Sequence, residues 1–258
     1  MKFEDFHEMF NAALQRRQRY LSDPLLAPWF QKEAFPPIIG FGLPADEEPV
    51  HLATIALNPS DGEVTGGFVP RTDDAKNQWE RQTGYFSRPY RKWFDKAERL
   101  VRAASGEQLS YGGVYGTGLR CVHLDLSPLP TAGKFDTVFD SRERSAEERA
   151  RAISMLEHET GALLRPLLNL LVAQHHLPRV LFFGYCPPEG GSATMKRFWG
   201  RGREFTVHAS DVEAGTQWAV GNWAIAPSVQ VRVGFLAKGP SYARAAIGEL
   251  EKAASRLA

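Results

Sequence analysis

The chain is poor in cysteine. Its 258 residues contain only two, Cys121 and Cys186. Two thiols cannot supply an iron–sulfur cluster or a Cys₄ zinc site. So few cysteines fit a reduced, cytoplasmic setting and not a disulfide-stapled secreted one. A dominant charge is also missing. Lys and Arg number 31 against 30 Asp and Glu, a formal net charge of +1. No global basic field announces a nucleic-acid partner, so any such surface must be local. Long apolar runs are absent too. The most apolar stretch, "GALLRPLLNLLVAQ" (161–174), is interrupted by Arg165 and Pro166 and is too short to span a bilayer. The opening "MKFEDFHEMF" places acidic residues where a secretion signal needs an apolar segment. Repeats and low-complexity tracts are lacking. A soluble, cytoplasmic protein that does not associate with membranes is expected.

What is present suffices for one substantial core: 43% of the residues are hydrophobic. A helical pattern over 4–20 is followed by the Pro-rich "DPLLAPWFQKEAFPPIIGFGLP" (23–44), expected to strap irregularly over the core, and by an acidic turn at "ADEEP" (45–49). Four short apolar stretches read as strands: "HLATIAL" (51–57), "LRCVHLDL" (119–126), "RVLFFGY" (179–185) and "VQVRVGFL" (229–236). Helical patterns lie between and after them, at 89–104, 145–175 and 241–258. The second opens with Ser145-Ala-Glu-Glu148, the pattern of a capping box, and Pro166 is expected to kink or divide it. Residues 203–226 alternate as an inserted β-hairpin would. The expectation is a single α/β domain over 1–258, with a mostly parallel four-stranded sheet covered by helices on both faces. Residues 1–45 form the helix and strap, and 50–258 the core.

In such sheets ligands bind beyond the carboxyl ends of the strands. Four loops meet that description: 58–62, 125–130, 184–191 and 237–242. The first begins "NPSDG" directly after an apolar strand. It reads either as ordinary turn chemistry or as a working edge.

Two of these loops resemble motifs of the uracil-DNA glycosylase superfamily, and most of all its mismatch-specific branch. Ala56-Leu57-Asn58-Pro59-Ser60 is similar to the first motif. Gly239-Pro240-Ser241 stands where the second motif opens the last helix. "FSRPYRKWF" (86–94) resembles the segment that carries a base-stacking aromatic, through Phe86, Pro89, Trp93 and Phe94. The resemblance covers roughly residues 50–258 but rests on short motifs. It implies a four-stranded parallel sheet, base flipping in DNA and hydrolysis of the N-glycosidic bond, with no cofactor and no metal.

On that resemblance Asn58 orients a water, and Phe86 stacks on the flipped base or is simply a core aromatic. Asp61, nearby, offers a carboxylate base or is a solvated turn residue. Asp125 reads the edge of the base, where some members of the superfamily have Asn, or is a surface carboxylate at a strand end. An amide both donates and accepts, whereas a carboxylate only accepts, so Asp125 suits a ligand with two donors better than it suits uracil. The second motif departs from the family: Gly239 stands in place of the His or Asn that stabilises the leaving base. Lys238 offers charge beside it. Ser241 can hold a phosphate at the helix N-terminus or merely cap the helix, and Tyr242 and Arg244 occupy the place of the duplex wedge.

Arg88 and Arg91 in "RPYRKW", and Lys196, Arg197, Arg201 and Arg203 around Phe198 and Trp199, are candidates to grip a nucleic-acid backbone. His123 and Asp125 share a strand face and the pair His175-His176 ends a helix, and neither gives a metal set. Cys186 reads as a buried thiol. "GGVYGTG" (112–118) lacks both the lysine of a P-loop and the spacing of a dinucleotide fingerprint.

Three functions stay open: a divergent DNA glycosylase; a non-catalytic protein of the same fold that binds nucleic acid or a nucleotide; and a small-molecule hydrolase that reuses the crevice.

Overall fold

The computed structural model describes the chain except residues 25, 28–34, 48, 60–61, 107–114, 116–119, 132–144, 189, 200–203, 214, 227–228 and 241–246. Of the sequence-derived candidates, Asp61, Arg201, Arg203, Ser241, Tyr242 and Arg244 lie outside the described residues.

The molecule is an α/β protein with one mostly parallel sheet flanked by helices. Helix α1 spans Phe3–Leu21. Strand β1 (Leu52–Ala56) pairs in parallel with β2 (Cys121–Asp125) on one side and β3 (Arg179–Phe183) on the other. On its far side β3 pairs in parallel with β8 (Val229–Leu236). The four apolar stretches of the sequence are therefore the parallel core. The sheet itself has eight strands rather than four. Short β4 (Tyr185–Cys186) and β5 (Gly190–Gly191) continue it beyond Leu236. The hairpin of β6 (Phe205–Glu213) and β7 (Thr216–Ala226) docks antiparallel along β8. The reason is the edge that β8 would otherwise expose, a row of unpaired backbone groups that β7 satisfies. At the opposite edge the strap bridges β2 through Phe41 and His123, whose backbone amides donate to each other's carbonyls at 2.8 and 3.0 Å.

Alternation along the strands sorts two cores. Ala53, Ile55, Val122, Leu124, Val180, Phe182, Val233 and Phe235 face one side, where Phe6, Phe10 and Ala13 of α1 and Leu167, Leu168 and Leu171 bury themselves. Leu52, Cys121, Leu181 and Phe183 face the other, under Phe94, Ala97, Leu100 and Val101 of α4 (Arg91–Ser105) and Leu250, Ala253 and Ala254 of the last helix, Ile247–Ser255. Short α2 (Gly62–Thr65) and then α3 (Ala75–Thr83) follow β1. Among the described residues no helix is long and apolar enough to cross a membrane.

The helical pattern of 145–175 divides at Pro166 as its chemistry dictates. Helix α5 (Ala146–Glu159) passes through a π turn, Thr160–Leu164, into α6 (Arg165–His175), where the proline lies in the first turn and needs no amide hydrogen. The capping box forms: the Ser145 amide donates to Glu148 Oε2 at 2.8 Å, and the Glu148 amide to Ser145 Oγ at 3.2 Å. Ser145→Ala should lower stability by about 1 kcal/mol. The check is a reduced urea midpoint with an unchanged m-value.

Candidate functional site

Beyond the α4 face of the sheet, the carboxyl ends of β1 and β2 lie side by side, with Ala56 in register with Asp125. Strand alternation aims Thr54, His123 and Asp125 at this face, and each is buried. Thr54 Oγ1 lies 2.8 Å from His123 Nδ1 and 3.2 Å from the Tyr115 hydroxyl. The His123 ring is enclosed by Trp93, Phe94 and Phe41, at centroid distances of 4.5, 5.4 and 5.6 Å. Its Nε2 stands 3.5 Å from Asp125 Oδ1. That contact is within ion-pair range but does not make a hydrogen bond, and Oδ1 has no hydrogen-bond partner among the described residues. The Asp125 side chain is 3% exposed. This settles one alternative: Asp125 is not a solvated carboxylate at a strand end.

A second carboxyl joins it. Glu63, in α2, is 4% exposed and accepts a hydrogen bond from the Tyr85 hydroxyl. Burial, reinforced by the Asp125 charge, pushes its pKa up to about 8 against the opposing pull of Tyr85 and Arg81. At neutral pH Glu63 is therefore mainly the uncharged acid. Burial and the neighbouring Glu63 raise the Tyr85 phenol in turn, so it remains a donor. Its oxygen also accepts from the Tyr90 amide at 3.1 Å. Arg81 covers the Tyr85 ring, with its guanidinium carbon 4.9 Å from the centroid, and donates to the carbonyls of Phe68 and Arg88. The turn that carries Glu63 closes where the Phe68 and Val69 amides donate to the Glu63 carbonyl at 2.9 and 2.8 Å, with Gly67 at φ 72°.

Phe86 joins the same group. It sits in the 3₁₀ turn Tyr85–Ser87 and is half-buried. Its ring lies 4.6 Å from Tyr115, 5.2 Å from Phe94 and 5.4 Å from Tyr85. The strap makes room for it at Gly42, whose φ is +70° and where a Cβ would fall 2.2 Å from the Phe86 ring. The structure thus brings Phe86 and Asp125 to one sheet face, linked through Phe94 and His123.

The Asn58 amide is half-buried at the end of β1 and donates to the Pro59 carbonyl at 2.9 Å and Thr131 Oγ1 at 2.8 Å. Both amide hydrogens are engaged, so it can act on water only through Oδ1. Gly239 is buried against the end of β3, where an added Cβ would meet Phe183 Cβ at 3.3 Å. Lys238 is exposed and reaches toward the hairpin turn, its Nζ 4.0 Å from where a Cβ on Gly215 would stand. Arg88 and Arg91 are exposed. Lys196 and Arg197 ride on α7 (Ala193–Phe198), which is anchored by Met195 and the following Trp199 in the core on the opposite side of the sheet. Cys186 is buried, and burial lifts its thiol to about 12, so it is no nucleophile at neutral pH. Among the described residues no group of three or more His, Cys, Asp or Glu could hold a metal ion.

Sequence reasoning missed Glu63 and Tyr85. Glu63 follows "NPSDG" and reads as one more polar turn residue. Tyr85 directly precedes Phe86, yet it is Tyr85 that is fully buried. The one local signal was the aromatic pair itself, since a buried Tyr demands a partner for its hydroxyl.

No protein-family model matches the chain, and no curated protein matches it. The functional reading therefore rests on this geometry.

Proposed function

We propose that the chain hydrolyses the N-glycosidic bond of a base presented by DNA, as a divergent relative of the uracil-DNA glycosylases. The observation that carries this reading is the pair of buried carboxyls, Glu63 and Asp125. Asp125 ends β2 and Glu63 sits in α2, beyond the end of the adjacent parallel strand β1, and the surrounding aromatic cluster includes half-buried Phe86 and Trp93. A pair of carboxyls, one of them held as the neutral acid, is the usual equipment of glycosidic hydrolysis.

The roles follow from protonation. The bond from the sugar to the base nitrogen breaks with its electron pair on the base, leaving an oxocarbenium-like sugar. Neutral Glu63 donates its proton to the departing base. Water, oriented through Asn58 Oδ1, adds to the sugar carbon, and the proton it sheds restores Glu63. The aromatic cluster receives the flipped ring, and base–aromatic stacking of this kind is worth roughly 1–3 kcal/mol. Glu63 takes over the acid role that a side chain at position 239 cannot fill.

A base-release assay tests the reading. Single- and double-stranded oligonucleotides carrying uracil, hypoxanthine, xanthine, guanine or mismatched bases should yield free base and an abasic site from at least one substrate. Absence of release from all of them would overturn the catalytic reading. Gly239, which supplies no side chain to stabilise a leaving base and is packed against Phe183, is the observation that favours the second reading, a protein that binds nucleic acid or a nucleotide without cleaving it. DNA retained in the same assay without release would support that one. Loss of DNA binding as well would leave the small-molecule hydrolase.

A further inference from the structure

Asp125 Oδ1 is a buried carboxylate oxygen without a hydrogen-bond partner among the described residues. Such a group is costly unless something pairs with it. His123 Nε2 stands 3.5 Å from it. His123 cannot turn toward it freely, because Nδ1 is held by Thr54 Oγ1 and the ring is packed by Trp93, Phe94 and Phe41. The carboxylate thus stands fixed at the carboxyl end of β2 with acceptor capacity unused.

From this we infer that the site selects a ring with two adjacent N–H donors on one edge, the arrangement of guanine, where a ring N–H stands beside an exocyclic amino group. The inference rests on the reading of the site as a nucleobase pocket. A carboxylate accepts two parallel N–H bonds side by side, as it does from a guanidinium. Uracil offers one N–H flanked by two carbonyl oxygens, which would face the carboxylate acceptor to acceptor. Hypoxanthine offers the ring N–H without the amino group. Neutral cytosine and adenine each offer an amino group beside a ring nitrogen that only accepts. Of the common bases, guanine alone matches both acceptors. Glu63 supports the choice, since the uncharged acid places no second negative charge against the ring.

The test is competitive binding, followed by quenching of Trp fluorescence, with guanosine, inosine, uridine and cytidine as probes. Guanosine and inosine differ only in the 2-amino group. The wild-type protein should prefer guanosine by roughly 10- to 100-fold, the discrimination of one good bidentate pair. Asp125→Asn, equal in size, should lose that preference and gain affinity for uridine. A wild-type protein that binds guanosine and inosine equally would overturn the inference without recourse to any variant. Base release from oligonucleotides, measured in parallel, separates the two claims. Release that ignores guanine would sink the edge selection and leave the glycosylase standing. Guanosine preference with no release from any oligonucleotide would sink the glycosylase and leave the edge selection.

Discussion

Replacing Glu63 with Gln should cut base release by roughly 10²–10⁴-fold, the usual contribution of a positioned general acid, and at the same time make the protein more stable in alkaline solution. Both effects come from one pKa. Glu63 rises from an ordinary 4.5 to about 8 in the folded chain. Below pH 4.5 the group is protonated in both folded and unfolded states, and burying it as the neutral acid carries no linkage penalty. Between 4.5 and 8 the folded chain holds a proton that the unfolded chain has released. Stability therefore falls as pH rises through this window, and the loss is complete above the folded pKa. At ~1.4 kcal/mol per unit, the loss is on the order of 5 kcal/mol. Glu63→Gln keeps the shape and removes the titration. Its urea midpoint should match the wild type near pH 4 and exceed it increasingly toward pH 9. The wild-type rate should also fall above about pH 8, where the acid is lost. Parallel pH–stability curves for the two proteins would refute a raised Glu63, and a variant with full activity would refute its role.

The largest purely structural loss is expected at Phe182. It is fully buried at the centre of β3, on the face away from the site. Its ring packs against Trp199 and Phe235 at 5.1 Å, Phe205 at 5.5 Å and Trp223 at 5.8 Å. These partners come from the segment after α7, the hairpin and β8, so this one ring ties the inserted hairpin to the parallel core. Truncation to Ala leaves a cavity that interlocked aromatics cannot collapse into, and should cost about 3–5 kcal/mol. The measurement is the denaturant midpoint. A loss below about 1 kcal/mol, within the reach of a mere surface change, would show that the hairpin does not depend on this contact.

Much of the fold was legible because its signals are local. Apolar runs at 51–57, 119–126, 179–185 and 229–236 became the parallel strands. The Ser145–Glu148 box and Pro166 placed the start and the division of the long helical segment, since capping and ring sterics act within a few residues. The hairpin at 203–226 was readable from alternation. Its docking along β8 was not, because pairing partners are chosen by which edge remains open in the assembled sheet. The strap's bridge to β2 through Phe41 escaped for the same reason.

For the site the division is sharper. Sequence alone places Asn58 and Asp125 at strand ends and Phe86 just ahead of a helix, and shows that position 239 carries no side chain. Which carboxyls are buried follows from the assembled sheet. In the sequence Glu63 reads as one more polar residue after "NPSDG", and nothing in its neighbours marks it for burial. What sets Glu63 apart is its enclosure by Tyr85, 22 residues away in the turn after α3, and its approach to the charge of Asp125 on β2. Desolvation and Coulomb interaction depend on distances in space, and those distances exist only once the sheet has brought the ends of β1 and β2 together.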